Sequence, residues 1–218
     1  MPDPVTYAAF LGAVLAYQLS GIGPDMMLVI GRGVAQGWRV ALATAVGCVA
    51  AGFIQIPLLA LGLVSLISSS PALYALLQLL GAGYLIYVGL KFLFAGKKYF
   101  GFAGTGEASK PSLTGAFRQG VICNLTNPTV LAFMLAILPQ FVHLSSGPAA
   151  MQFLILGATM KLSGLVMLGS VALASGAVGG WLMRNRSFQL WQQRFAGAVM
   201  IGLGLQLLLS GNPRADMR

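Results

Sequence analysis

The sequence predicts an all-α membrane protein of six transmembrane helices. Of its 218 residues, 57% are hydrophobic and only 8% charged, where soluble domains carry about 25% charged residues. Mean hydropathy is +0.84. Several apolar stretches of about 18 or more residues follow one another along the chain, each long enough to cross the ~30 Å hydrocarbon layer as a helix. A net charge of +9 would suit nucleic acid in a soluble protein. Here the cations stand mainly between apolar stretches, where they act as topology signals, so the expected surroundings are a lipid bilayer and no nucleic acid.

Segment one, about 5–30, contains Gly21-Ile22-Gly23-Pro24-Asp25, a helix-breaking cluster that ends in one of only four acids in the chain. The N-terminus ahead of it has no basic region and no convincing cleavage site, so this segment is expected to stay in the mature protein. Segment two, about 40–67, carries Gly47, Gly52 and Pro57, small or kinking residues suited to close helix packing. Segment three, about 72–95, carries Gly81, Gly83, Tyr84, Tyr87 and Gly89. A Gly/Ser/Thr-rich stretch, 96–112, with Lys97, Lys98, Glu107, Lys110 and Pro111, then forms the one long loop.

Segment four, about 113–142, is the most informative. Asn124, Asn127 and Pro128 interrupt its first half, where a plain anchor would carry Leu or Ala. Proline has no N–H and clashes with the carbonyl four residues back, so the helix must kink or break, and the freed backbone groups require a polar partner that hydrocarbon does not provide. Segment five, about 149–183, holds Lys161 well inside. Arg184, Arg186 and Arg194 with Trp181 and Trp191 mark a membrane surface, and segment six, about 195–209, is the shortest.

The loops after segments one, three and five contain Arg32 and Arg39; Lys91, Lys97, Lys98, Lys110 and Arg118; and Arg184, Arg186 and Arg194. Those ten face two in the C-terminal tail, Arg214 and Arg218. The asymmetry places the basic loops in the cytoplasm and both termini outside. Six segments around a cytoplasmic middle loop also divide the single transporter domain into halves, 1–95 and 113–211. Three being odd, similar halves insert with opposite topology, which is compatible with two inverted three-helix repeats whose first helices, the first and fourth of the chain, are broken at Gly23-Pro24 and Asn127-Pro128. Corresponding interruptions point to a central binding site.

Cys48 and Cys123 both lie in apolar segments without a CxxC or Cys/His context, so neither a disulfide framework nor a metal site is expected. His143, the only histidine, stands at a segment end as an interfacial residue, and no hydrolase constellation assembles around it, so no enzyme is expected.

Gly23-Pro24-Asp25, Gly37 with Arg39, Gly81-Ala82-Gly83-Tyr84-Leu85 with Tyr87, Gly89 and Leu90, and Asn124-Leu125-Thr126-Asn127-Pro128 followed by Leu138-Pro139-Gln140-Phe141 resemble the lysine exporter (LysE/RhtB) family of bacterial amino-acid exporters. The likeness covers nearly the whole chain. It implies a bacterial inner-membrane secondary transporter that exports amino acids or close derivatives, driven by the proton-motive force, without a prosthetic group or other cofactor, and compatible with a homo-oligomer. The chain departs from the family pattern at Gly21-Ile22-Gly23, where a second proline is common, at Thr129, where a basic residue is common, and at Lys161.

The candidate substrate-binding or coupling residues are therefore Gly23, Pro24, Asp25, Asn124, Asn127, Pro128 and Lys161. Helix N-termini opened by Pro24 and Pro128 suit a carboxylate, and Asp25 suits an ammonium or a coupled proton. Asn124 and Asn127 either orient the substrate or close the broken helix. Lys161 either binds a carboxylate, neutralises Asp25 or snorkels. Two rival readings are a membrane thiol-redox protein using Cys48 and Cys123, and a non-catalytic membrane scaffold.

Overall fold

A computed structural model of the chain describes residues 3–20, 23–94, 112–143 and 146–210, and among them every regular element is helical. Helix α1 (Pro4–Ser20) starts at Asp3, whose Oδ1 accepts from the backbone N–H groups of Val5 and Thr6, each at 3.0 Å. The Thr6 hydroxyl and backbone hold this exposed carboxyl below its ordinary pKa. Pro4 follows at the first helical position, where its missing N–H costs nothing.

The chain resumes as α2 (Pro24–Gln36), bent 51° from α1. Gly37, at φ 90°, ends α2 in a conformation that L side chains rarely adopt, and its N–H returns to the Gly33 carbonyl at 3.0 Å. Helices α3 (Trp38–Ala50) and α4 (Gly52–Ser69) continue one another across Ala51, and α5 (Pro71–Phe94) follows.

Ser112 caps α6 (Leu113–Leu125) by accepting from the Gly115 N–H at 3.1 Å. After the Asn127-Pro128 break comes α7 (Pro128–Ala136), bent from α6 by the same 51°, and a 3₁₀ turn over Leu138–Phe141. Helices α8 (Ala149–Arg184) and α9 (Arg186–Ser210) complete the bundle.

Three single stretches are long and apolar enough to cross a membrane, Trp38–Gly62, Ala75–Phe94 and Ala149–Gly176. The bent pairs α1–α2 and α6–α7 bring the number to five if each is one span. Helix α9 is not among them. It is longer than the sixth segment expected, because the polar patch after Arg184 is helical: the Asn185 side chain accepts from the Phe188 N–H at 3.2 Å. Buried Gln193 then donates to the Phe92 carbonyl of α5 at 2.9 Å. Residues 96–111 of the expected connecting loop 96–112, residues Gly21 and Ile22 of the first break, and Arg214 and Arg218 lie outside the described residues.

Hydrocarbon gives apolar helices no reason to leave it, so close backbone packing has to hold the bundle. A Cβ on Gly47 of α3 would stand 2.1 Å from the Phe117 carbonyl oxygen of α6, and one on Gly120 of α6 would stand 2.2 Å from the Thr44 oxygen of α3. The packing role expected of Gly47 is thus met at the α3–α6 crossing. Large apolar side chains such as Phe53, Leu58, Leu61 and Val166 face outward, as they do toward lipid.

The breaks separate neighbourhoods as well as directions. Helix α2 packs on α3 and α8, and α6 on α3, whereas α1 packs chiefly on α9 and α7 on α5. Phe10 and Phe141 meet edge to face at 5.3 Å, and Tyr17 stacks on Phe133 at 4.2 Å, joining α1 to the α7 region.

Candidate functional site

Both interruptions face one buried polar network. At the first, Gly23 takes the N-cap position of α2 and offers no side chain to the first-turn N–H groups. Pro24 starts the helix, and Asp25 falls in its first turn, where a carboxylate is favoured by the helix dipole. Asp25 is 8% exposed, too buried for its carboxylate to go without partners.

The partners come from α6. Asn124 Nδ2 donates to Asp25 Oδ2 at 2.5 Å, and the Cys123 thiol donates to Asp25 Oδ1 at 3.3 Å. The other end of the Asn124 amide accepts from Lys161 Nζ, on α8, at 2.7 Å. Lys161 donates as well to Gln55 Oε1, on α4, at 2.6 Å. Lys161 is also 8% exposed.

Asp25 and Lys161 therefore meet, though through an asparagine: among the described residues no direct ion pair joins them. A primary amide has a donor end for the acid and an acceptor end for the base, so one side chain satisfies both charges. Snorkelling of Lys161 toward an interface is set aside by this geometry, since its ammonium stays with Gln55 and Asn124.

The second break shows why the network forms here. Pro128 has no N–H for the carbonyl four residues back, which is that of Asn124. That carbonyl accepts instead from the Asn127 N–H at 3.2 Å and from Gln55 Nε2 at 3.2 Å. Asn127 in turn caps α7, its Oδ1 accepting from the Thr129 N–H at 3.1 Å. Of the two roles open to the asparagines, Asn127 takes the closing of the broken helix, while Asn124 joins the charges, a role outside those two.

A cavity of about 100 Å³ lies against the network, and Gly23, Asp25, Asn124, Asn127 and Lys161 all line it. Its remaining wall includes Tyr17, Gln18 and the methionines Met26, Met160, Met167 and Met200. Gln18 Nε2 donates to the Met160 carbonyl and the Ser163 hydroxyl, each at 3.0 Å, while its buried Oε1 has no hydrogen-bond partner. Of the expected site residues, only Pro24 and Pro128 stay out of the wall; they act by setting the breaks.

Gln55 and Gln18 were not among the residues singled out from the sequence, and Cys123 was named there only as a thiol of the redox reading. Gln55 had a signal: it is a lone amide in an apolar helix two residues before Pro57, and polar side chains in spans bind across helices. The role of Cys123 as a donor had none, because its thiol becomes one only where α2 brings a carboxylate. Cys48 and Cys123 are both free thiols, and His143 is exposed, its backbone N–H and C=O held by the Gln152 side chain at 3.1 and 2.8 Å. No group of three or more His, Cys, Asp or Glu side chains suited to a metal ion occurs among the described residues.

Residues 17–211 match the model of the LysE type translocators. The chain belongs to the LysE type translocator family. Among similar proteins, an uncharacterized membrane protein of Pseudomonas aeruginosa is 28% identical over 203 residues, covering 90% of this chain and 91% of its own. An uncharacterized membrane protein of Vibrio cholerae is 27% identical over 206 residues, covering 94% and 97%. A leucine efflux protein of Salmonella choleraesuis is 26% identical over 189 residues, covering 85% and 86%. No solved structure matches the chain significantly. As a LysE type translocator, the protein is a multi-pass membrane protein of a transport family, and the match takes in every residue of the buried network. Neither the thiol-redox nor the scaffold reading draws support from this family.

Proposed function

We propose that the protein exports amino acids or close derivatives across the bacterial inner membrane, driven by the proton-motive force, with the Asp25–Asn124–Lys161 network as its substrate and coupling site. The observation that carries the reading is the seat of that network: an acid, a base and the amide between them, buried beside a cavity where two broken helices meet. A charge inside a membrane span is costly, by at least ~2.5 kcal/mol at a helix centre, and marks a functional path by default.

An amino acid carries both partners this network lacks when its bridge opens. Its carboxylate takes Lys161, and its ammonium takes Asp25. The uncapped first turn of α2 lies beside the same cavity and favours the carboxylate further. When the ammonium leaves outward, a proton from outside replaces it on Asp25; the next ammonium arriving from the cytoplasm releases that proton inward. One substrate leaves as one proton enters.

In the same reading the basic loops face the cytoplasm and both termini lie outside, and the chain is built as two halves of opposite topology around the site. The corresponding breaks at Gly23-Pro24 and Asn127-Pro128, one in each half, support the division into halves.

The test is transport of a panel of labelled amino acids by the purified protein in proteoliposomes, with and without an imposed pH gradient. Export predicts uptake of at least one amino acid accelerated by a proton gradient of the driving sign, and loss of that acceleration in Asp25→Asn. No transport of any amino acid overturns the reading. Transport indifferent to the gradient overturns its proton coupling.

A further inference from the structure

We infer that this site selects zwitterions with an uncharged, apolar side chain and rejects amino acids that carry a second charge. The inference rests on the export reading above and goes further by naming the substrate class. Charge balance is the first observation. The cavity wall holds one acid, Asp25, and one base, Lys161, and no other ionisable group of ordinary charge at neutral pH. Their opposite charges sum to zero, and the Asn124 amide hydrogen-bonds both.

A zwitterion exchanges one neutral arrangement for another: its carboxylate and ammonium replace the two ends of the Asn124 amide. Asp25 is not the only acceptor among the residues of the cavity wall. The buried Gln18 Oε1, which has no partner, supplies a neutral one on the same wall. A lysine or a glutamate, by contrast, brings a third charge with no counter-charge in the cavity to receive it.

The second observation is the chemistry of the rest of the wall. Met26, Met160, Met167 and Met200 come from three different helices, with Val49 and Leu168 beside them. Thioether chains are flexible and polarizable, so they adapt to aliphatic groups of differing shape while offering nothing to a charged one. Leucine, isoleucine, valine and methionine fit this wall. Uncompensated burial of one charge in a membrane interior costs about a hundredfold in partition, and discrimination of that order is expected against lysine and glutamate.

Counterflow in proteoliposomes tests the inference, with labelled leucine, methionine, lysine and glutamate offered separately to the native protein. Leucine and methionine should be transported about a hundredfold better than lysine or glutamate. Lys161→Met leaves the site with an uncompensated acid, and the ratio of lysine to leucine transport should rise at least tenfold. Lysine transported as well as leucine by the native protein would overturn the inference while leaving amino-acid export standing. Failure of all four amino acids would also overturn the inference, and export itself falls only if every amino acid of the wider panel fails as well.

Should Lys161→Met not accumulate, the native protein still decides the matter in detergent. Unlabelled leucine should raise its unfolding temperature, and lysine at the same concentration should not. Equal stabilisation by the two overturns the inference.

Discussion

Replacing Gly52 with alanine adds one methyl group at the base of the buried network. A Cβ there would stand 2.7 Å from Lys161 Cγ and 3.1 Å from its Cδ and Cε, where carbon atoms in contact rest at about 3.5–4.0 Å. The Lys161 stem has to move by nearly ~1 Å, and its ammonium cannot then keep both the 2.6 Å bond to Gln55 and the 2.7 Å bond to Asn124. Hydrogen bonds to charged groups are worth about 1.5–3 kcal/mol each, and overpacking costs about 1–3 kcal/mol. Alanine returns up to ~1 kcal/mol through its better helix propensity. The Asn124 bond is one the substrate itself replaces, so the bond that counts is the one to Gln55, which seats the ammonium; losing it in full corresponds to about tenfold to a hundredfold in site occupancy.

The expected result is a fall of that size in transport of labelled leucine into proteoliposomes, with a modest drop in the amount of folded protein. Gly62, on the same helix, has nothing within 4 Å of its added Cβ. Gly62→Ala therefore controls for propensity and should transport normally. Normal transport and abundance in Gly52→Ala would refute the claim that the seat of Lys161 against α4 matters to the site.

Three further expectations can be checked directly. A reporter fused after Lys98 should behave as cytoplasmic and one after Ser146 as external, and reversed signals would overturn the orientation drawn from the basic residues. Asn127→Ala removes the cap of α7, worth about 0.5–2 kcal/mol, and with Pro128→Ala should reduce transport far more than membrane abundance; proportional loss of both would assign the break to structure alone. Replacing Cys48 and Cys123 with serine should leave most transport intact, since a serine hydroxyl can still donate to Asp25 in place of the Cys123 thiol, whereas abolished transport at normal abundance would revive a thiol mechanism.

Much of this architecture was legible in the residues. Length and apolar content announced an all-helical membrane protein, and Gly23-Pro24 and Asn127-Pro128 announced the two breaks, because proline chemistry is local and does not wait for neighbours. The ionisable residues Asp25 and Lys161 were marked by their depth in apolar segments, since a charge there has to serve some purpose. The first turns of α9 were expected only as a polar patch at a membrane surface; that they are helical, with Gln192 and Gln193 buried and Gln193 bonded to the Phe92 carbonyl of α5, was not foreseen.

What only the tertiary structure decided is who answers whom. The sequence required some polar group at the carbonyl freed by Pro128, but nothing in it named Gln55, which arrives from α4, 69 positions away. It set Asp25 and Lys161 in separate spans without saying that Asn124 would stand between them. Proline, glycine and apolar runs act through the backbone of their own segment and can be read there. A hydrogen bond between helices depends on the rotation and depth at which those helices pack, and these are fixed by many weak contacts, such as the meeting of Gly47 and Gly120 with opposing carbonyls, that no single segment contains.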